Sequence, residues 1–238
     1  RLGIYGNEDP MYILAGLPFI APDYSSAWLL KDVQMEYLQE KFAKKGLMIL
    51  YTAPWPGQGF YTKFPVNSVS DFKGKKLRIY STATQQMGSM LGFNATILPF
   101  AEIPQAFSTG LIEALFTSPQ TGIDIQAWDN TKHFTYAGAI FSKNAVVVTK
   151  KAFNALSKGD QSNMLAAAKK AELRGWEMSA ETTKKQIGIL KKNGMSSKNA
   201  PDEVISKMKS IGLEMMKNWR SKASPEANAV LDRYLSMR

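Results

Sequence analysis

Val69-Ser-Asp-Phe-Lys-Gly-Lys-Lys-Leu-Arg-Ile-Tyr80 reads as a turn followed by a short strand, and the strand holds one arginine. Asp71 and Gly74 supply the turn chemistry, and residues 76–80 have strand length. Successive side chains on a strand point to opposite faces, so Arg78 points away from the side occupied by Leu77 and Ile79. A half-buried guanidinium is costly unless an anion meets it. A carboxylate matches its planar fork best, through two parallel hydrogen bonds. The partner is then a ligand, an acid of the chain itself, or water at an exposed sheet edge, and the residue alone does not separate these.

Reading forward, Ser81 or Thr82 can cap a helix that carries Ala83, Met87, Met90 and Leu91 on one side and stops at Gly92. Residues 95–100 read as a strand, 102–109 as a short helix with Pro104 in its first turn, and 111–116 as another strand after Gly110. Reading backward, residues 24–45 form an amphipathic helix, with Leu30, Val33, Tyr37, Leu38 and Phe42 at helical spacing and Gly46 as its stop. Residues 47–52 are an apolar run of strand length. Residues 53–59 hold two Pro and two Gly and are expected to be irregular. Strand, helix, strand, helix, strand over 46–116 implies parallel pairing in an α/β layer architecture, where ligands sit beyond the carboxyl ends of the strands.

Residues 145–149 are the last strand expected. Residues 160–193 then contain no Pro and only Gly175 and Gly188. Trp176, Ala180, Thr183, Ile187 and Leu190 keep helical spacing there. One helix of this length runs roughly 45–50 Å, longer than a small domain is wide. Two helices broken near Gly175 are the alternative. Further helices open at Pro201 and at Ser224-Pro225-Glu226.

A chain of 238 residues is enough for one large domain or two small ones. Thirty Lys and Arg against 20 Asp and Glu leave a net charge of +10. The lysines are scattered in pairs, such as Lys44-Lys45 and Lys169-Lys170, without a basic run or an aromatic-basic motif, so no nucleic-acid partner is expected. A diffuse positive field draws in small anions. The absence of Cys excludes disulfides, thiol catalysis and Cys-bearing zinc sites, and suits an oxidising compartment. The single histidine, His133, lies in a polar connector, residues 130–134. No phosphate-binding glycine loop, nucleophile elbow or metal-spaced cluster occurs, so neither enzyme activity, metal nor cofactor is expected. No stretch approaches the roughly 18 apolar residues of a membrane span. The chain opens on Arg1 rather than Met, which reads as a processed or truncated start.

Asp71-Phe-Lys-Gly-Lys-Lys-Leu-Arg78-Ile resembles the signature of DctP-type substrate-binding proteins of tripartite ATP-independent periplasmic (TRAP) transporters. Asn7-Glu-Asp-Pro10, Gly16-Leu-Pro-Phe19, Gly46-Leu-Met-Ile-Leu50, Leu98-Pro-Phe-Ala101 and Gly110-Leu-Ile-Glu-Ala114 follow in the family's order, so the resemblance covers essentially the whole chain. It implies an α/β, two-lobed periplasmic-binding-protein-like architecture that closes over an organic acid, with one long helix spanning both lobes. Lobe I would hold residues 1–52 and 145–175, lobe II residues 53–144, and residues 176–238 the end of the spanning helix and the C-terminal helices. The family's ligand-pairing arginine falls on Arg78, its aromatic cleft residue on Phe100, and its polar cleft residue on Thr117, with Ser118 and Gln120 beside it.

Two departures from the family pattern shape the expectation. Some relatives carry a second arginine where this chain has Gln58, beside Trp55. Its loss favours a monocarboxylate held against an apolar wall of Trp55 and Phe100, to which Tyr80, Phe116 and Tyr136 can add. Family members also begin with a β-α-β-α segment, and this chain starts after it, so contacts from that segment go unnamed. The resemblance implies a monomeric periplasmic receptor that hands a small organic acid to TRAP membrane subunits. A ligand-sensing module of the same fold is one alternative, and an α/β enzyme acting on a small acid is another.

Overall fold

Two sheets share the strands in a computed structural model that describes residues 1–238. In chain order the elements are α1 (Tyr24–Lys44), β1 (Leu47–Pro54), β2 (Gly59–Thr62), β3 (Lys76–Ile79), α2 (Thr82–Met90), β4 (Asn94–Ile97), α3 (Ile103–Ser108), β5 (Ala114–Thr117), α4 (Pro119–Asp124), β6 (His133–Tyr136), β7 (Lys143–Thr149), α5 (Lys150–Asn154), α6 (Lys158–Lys192), β8 (Ser196–Asn199), α7 (Asp202–Lys222) and α8 (Pro225–Met237). β1 and β7 pair antiparallel as a two-stranded sheet. The other sheet has the order β4-β3-β5-β2-β6-β8. The α/β architecture with a long helix follows the expectation from the sequence.

The six-stranded sheet is mixed. β3 runs parallel to both β4 and β5, as the alternation of elements implied, whereas β2 lies antiparallel between β5 and β6. β2 occupies part of the stretch expected to be irregular. Only Ala53 and Pro54, at the end of β1, and Gly59, at the start of β2, depart from that reading, and residues 55–58 are the connector. β2 is four residues long and abuts a Pro/Gly segment, too little for a periodic signal. His133 opens β6 instead of lying in a connector.

Both faces of the sheet are covered, and consecutive residues divide between them. Phe60 faces a large core with Phe72, Phe93 and Phe116, while its neighbour Tyr61 faces a smaller core with Phe134 and Leu115. The two-residue period of a strand explains the division. Gly122 of α4 lies against the Tyr61 ring, where a Cβ would overlap it. The Tyr61 hydroxyl donates to the carbonyls of Ser118 and Pro119 at 3.3 and 3.4 Å, which seats α4 on the sheet.

α6 is a single helix of 35 residues, so Gly175 does not break it. At 1.5 Å per residue it extends about 50 Å. Its middle is tied to the two-stranded sheet. Glu172 Oε1 accepts from the Thr52 backbone N–H at 2.9 Å and from Thr52 Oγ1 at 2.7 Å, and Trp176 Nε1 donates to Thr52 Oγ1 at 3.3 Å. The other Glu172 oxygen meets Lys31 Nζ at 3.4 Å. The far end of α6 reaches the six-stranded sheet: Gln186 Nε2 donates to Gln120 at 2.9 Å, and Leu190 is fully buried in the smaller core. β8, which follows, pairs with β6, so residues 176–238 contribute a strand as well as helices.

Removing the Glu172 carboxylate leaves the buried Lys31 ammonium short of a partner and a backbone donor unmet. Glu172→Ala is expected to lower stability by about 2–4 kcal/mol. A chemical-denaturation midpoint unchanged from wild type contradicts the tie.

Candidate functional site

Arg78 sits in the middle of β3, between two parallel neighbours, and is only 3% exposed. Its Nε donates to the Leu98 carbonyl at 3.0 Å, in the loop that leaves β4. None of the chain's ion pairs includes it. No acid of the chain lies within ion-pairing distance of it, and little of the side chain meets solvent. Burial, and then the nearby charge of Arg1, pull the guanidinium down to about 10. It remains cationic at neutral pH and faces a cavity of 640 Å³.

The cavity wall is partly the expected one. Trp55, Arg78, Tyr80 and Phe100 all line it. Phe100 is 50% exposed, held toward the opening by the short turn that follows Pro99. The Trp55 indole N–H donates to Asn144 at 3.2 Å, fixing the ring. Arg1 stacks over both Trp55 and Tyr80, with its guanidinium carbon 5.0 and 4.7 Å from the two ring centres. Burial raises the Tyr80 phenol above its ordinary value, so Tyr80 stays a neutral donor.

The other expected contacts sit behind the wall. Gln58 is buried at 2% exposure and is spent on the protein: its Oε1 accepts from Tyr80 Oη at 2.8 Å, and its Nε2 donates to Ser142 at 3.1 Å. It positions Tyr80 and does not line the cavity. Thr117 ends β5, buried opposite Gly59 of β2. Ser118 caps α4, its Oγ accepting from the Thr121 N–H at 3.2 Å. Gln120 turns toward α6 and also donates to Asp124 at 2.7 Å. Thr117, Ser118 and Gln120 do not line the cavity. Thr121 and Asp124, three and six residues past Ser118, take that place. The helical period of α4 is the signal that would have found them. Arg1, Asn7 and Thr82 also line the cavity and carry no sequence signal of that role.

Lys143, at the start of β7, lies close behind. It is 5% exposed and makes one hydrogen bond, to Gln34 Oε1 at 2.7 Å. Burial, and then the charge of Lys31, push its amine down to about 7. No side chains in the fold form a cluster of three or more metal-ligating groups.

Aromatic rings thus wall a cleft that holds the Arg1 and Arg78 guanidinium groups, neither of them in an ion pair. The chain belongs to the bacterial extracellular solute-binding protein family 7, DctP, whose family model matches residues 2–222. It is 36% identical to DctP7, a Bordetella pertussis extracytoplasmic solute receptor binding pyroglutamic acid, with a TM-score of 0.95 over 98% of this chain and 77% of that one. A marine metagenome TRAP solute binding protein specific for pyroglutamate is 31% identical, with a TM-score of 0.93 over 99% of this chain and 77% of that one. A curated relative from Chromohalobacter salexigens, described as a solute-binding protein, is 25% identical over 79% of this chain, which spans 57% of that relative's length. No helix is long and apolar enough to cross a membrane.

The Lys143 amine of the unfolded chain holds its proton up to about 10.5, and the folded chain releases it near 7. Between these values the unfolded state binds more protons, so stability rises with pH. From about pH 7 to about pH 9, wild type is expected to gain roughly 1 kcal/mol per pH unit relative to Lys143→Met. Parallel stability-versus-pH curves for the two proteins contradict this.

Proposed function

We propose that the chain is an extracytoplasmic receptor for a small monocarboxylate and that its cavity takes a five-membered lactam acid such as pyroglutamate. The single observation that carries the reading is the Arg78 guanidinium, buried without a carboxylate at the floor of the cavity. The ligand carboxylate pairs with the free end of the fork, and the Leu98 carbonyl keeps the fork oriented through Nε. Trp55, Tyr80 and Phe100 give the ring apolar surface. Asp124 accepts a hydrogen bond from the lactam N–H, since one of its oxygens is held by Gln120 and the other is left for the ligand. The pyroglutamate receptors among the similar solved structures support this choice of acid.

Capture proceeds by closure of two lobes. Lobe I holds residues 1–52 and 145–175, lobe II residues 53–144, and residues 176–238 the end of the spanning helix and the C-terminal helices. The connector at residues 55–58 lies between the end of β1 and the start of β2, one strand from each sheet, and supplies the hinge. Closure removes water and lowers the local dielectric, which strengthens the charge pair. The closed form delivers the acid to TRAP membrane subunits. The chain acts as a monomer in the periplasm and changes no bond of its ligand.

Arg78→Ala is expected to weaken pyroglutamate binding by at least about 100-fold, the cost of leaving a buried carboxylate unpaired. Isothermal titration calorimetry reads the loss, and a far-UV spectrum like wild type shows that the fold survives. Unchanged affinity rejects Arg78 as the anchor. Asp124→Ala is expected to weaken pyroglutamate about tenfold while leaving the lactone analogue, with a ring oxygen in place of the N–H, nearly unaffected. Equal losses for both acids remove Asp124 from the ring contact.

A further inference from the structure

Lys143 is a buried ionisable group that the proposed ligand contacts do not use. It pairs with Pro54 at the point where β7 meets the end of β1, next to the interlobe connector. An ammonium offers three donors, and only one is met, by Gln34. No carboxylate forms an ion pair with it. A void of 20 Å³ beside it, room for about one water, shares Arg1, Tyr80 and Ser81 with the ligand cavity.

The charged and titratable groups around Lys143 are few. Arg1, with its α-amine as well as its guanidinium, lines the same void with Tyr12 and Tyr80, and burial lowers that α-amine below its ordinary value. Lys31 lies one turn before Gln34 on α1, with its own charge held by Asp32 and Glu172. At neutral pH the unpaired charge facing Lys143 is therefore cationic, and the empty site opposes a further proton there. An anion in the adjoining cavity reverses that field, and a poorly polarisable interior carries the effect across several ångströms.

We infer that Lys143 takes up a proton when an anion fills the neighbouring cavity, so that ligand capture is coupled to pH. The inference rests on the reading of the cavity as a carboxylate site. The coupling is reciprocal: a ligand that strengthens proton binding is itself held more tightly by the protonated form. The amine titrates near 7 in the free protein, so affinity is greatest below that pH and declines above it. The decline is about tenfold for each unit by which the ligand raises the amine's pKa. Arg78 keeps its charge throughout this range and contributes no pH dependence.

Calorimetric titration of the full chain with L-pyroglutamate, at about pH 8 in phosphate and in Tris, measures the protons exchanged. Wild type is expected to take up a fraction of a proton per ligand, and its dissociation constant to rise several-fold from about pH 6 to about pH 8.5. Lys143→Met and Lys143→Gln are both expected to bind without proton uptake and with little pH dependence. Wild-type heats that do not depend on the buffer overturn the inference, as does proton uptake that survives both substitutions. Absence of any binding heat at every pH overturns the ligand reading itself and this coupling with it, and the missing isotherm distinguishes that result from the others.

Discussion

The buried Arg78 guanidinium, which no carboxylate meets, governs the architecture of the cleft. Desolvating a guanidinium costs several kcal/mol, and a fold meets that cost only with a compensating acid or with a reason to leave it unmet. Here the Leu98 carbonyl satisfies one donor, Nε, and no acid approaches. The rest of the six-stranded sheet around it holds that group still. β3 is clamped between two parallel strands, Leu77 and Ile79 are fully buried on the opposite face, and the Ser81–Thr84 capping box fixes the turn that follows. A guanidinium on a mobile loop would recover its hydration and lose its preference for a ligand. A strand in the interior of a sheet does not permit that.

Polar side chains near the cleft divide into those already engaged and those left open. Gln58, Ser118 and Gln120 spend their hydrogen bonds on Tyr80 and Ser142, on the α4 cap, and on Asp124 and α6. These contacts fix the wall, and a fixed wall lowers the ordering cost when a small ligand arrives. Arg78 and Asp124 keep unmet capacity toward the cavity. Residues that hold the wall and residues that face the cavity alternate along the same segments, which is why neighbours in sequence have different surroundings.

That alternation also decides what was legible in the chain. Arg78 stood out because an arginine between Leu77 and Ile79 on a strand conflicts with its surroundings, and the conflict is a local property of five residues. The long helix was legible in part: 34 residues without a proline and the helical spacing from Trp176 to Leu190 allowed it, while a break near Gly175 stayed open until the family resemblance favoured one helix. β2 was not, because its four residues owe their extended form to β5 and β6 on either side, which are distant in sequence. Thr117, Ser118 and Gln120 were placed near the right end of β5, but which turn of α4 reaches the cavity depends on how Gly122 lets the helix sit on Tyr61. Arg1 and Lys143 were illegible for the same reason. Each is an ordinary basic residue in a basic chain, and only the packing sets Arg1 over Trp55 and Tyr80 and takes Lys143 out of water.

The charged side chains that line the cavity are Arg1 and Arg78 against Asp124, a balance of 2 − 1 = +1. A singly charged acid neutralises that balance, whereas a dianion leaves a surplus negative charge in a site with low dielectric. Gln58, neutral and behind the wall, adds no third guanidinium to that balance. On the proposed reading, selection for one carboxylate comes from this count as much as from any contact. The aromatic wall then discriminates among monoanions by ring shape, because stacking surface on Trp55, Tyr80 and Phe100 rewards a flat body and gives an extended hydroxy acid little in return. Under the proposed function, charge sets the class of ligand admitted and the rings sort within it, and the two act on different atoms of the same small molecule.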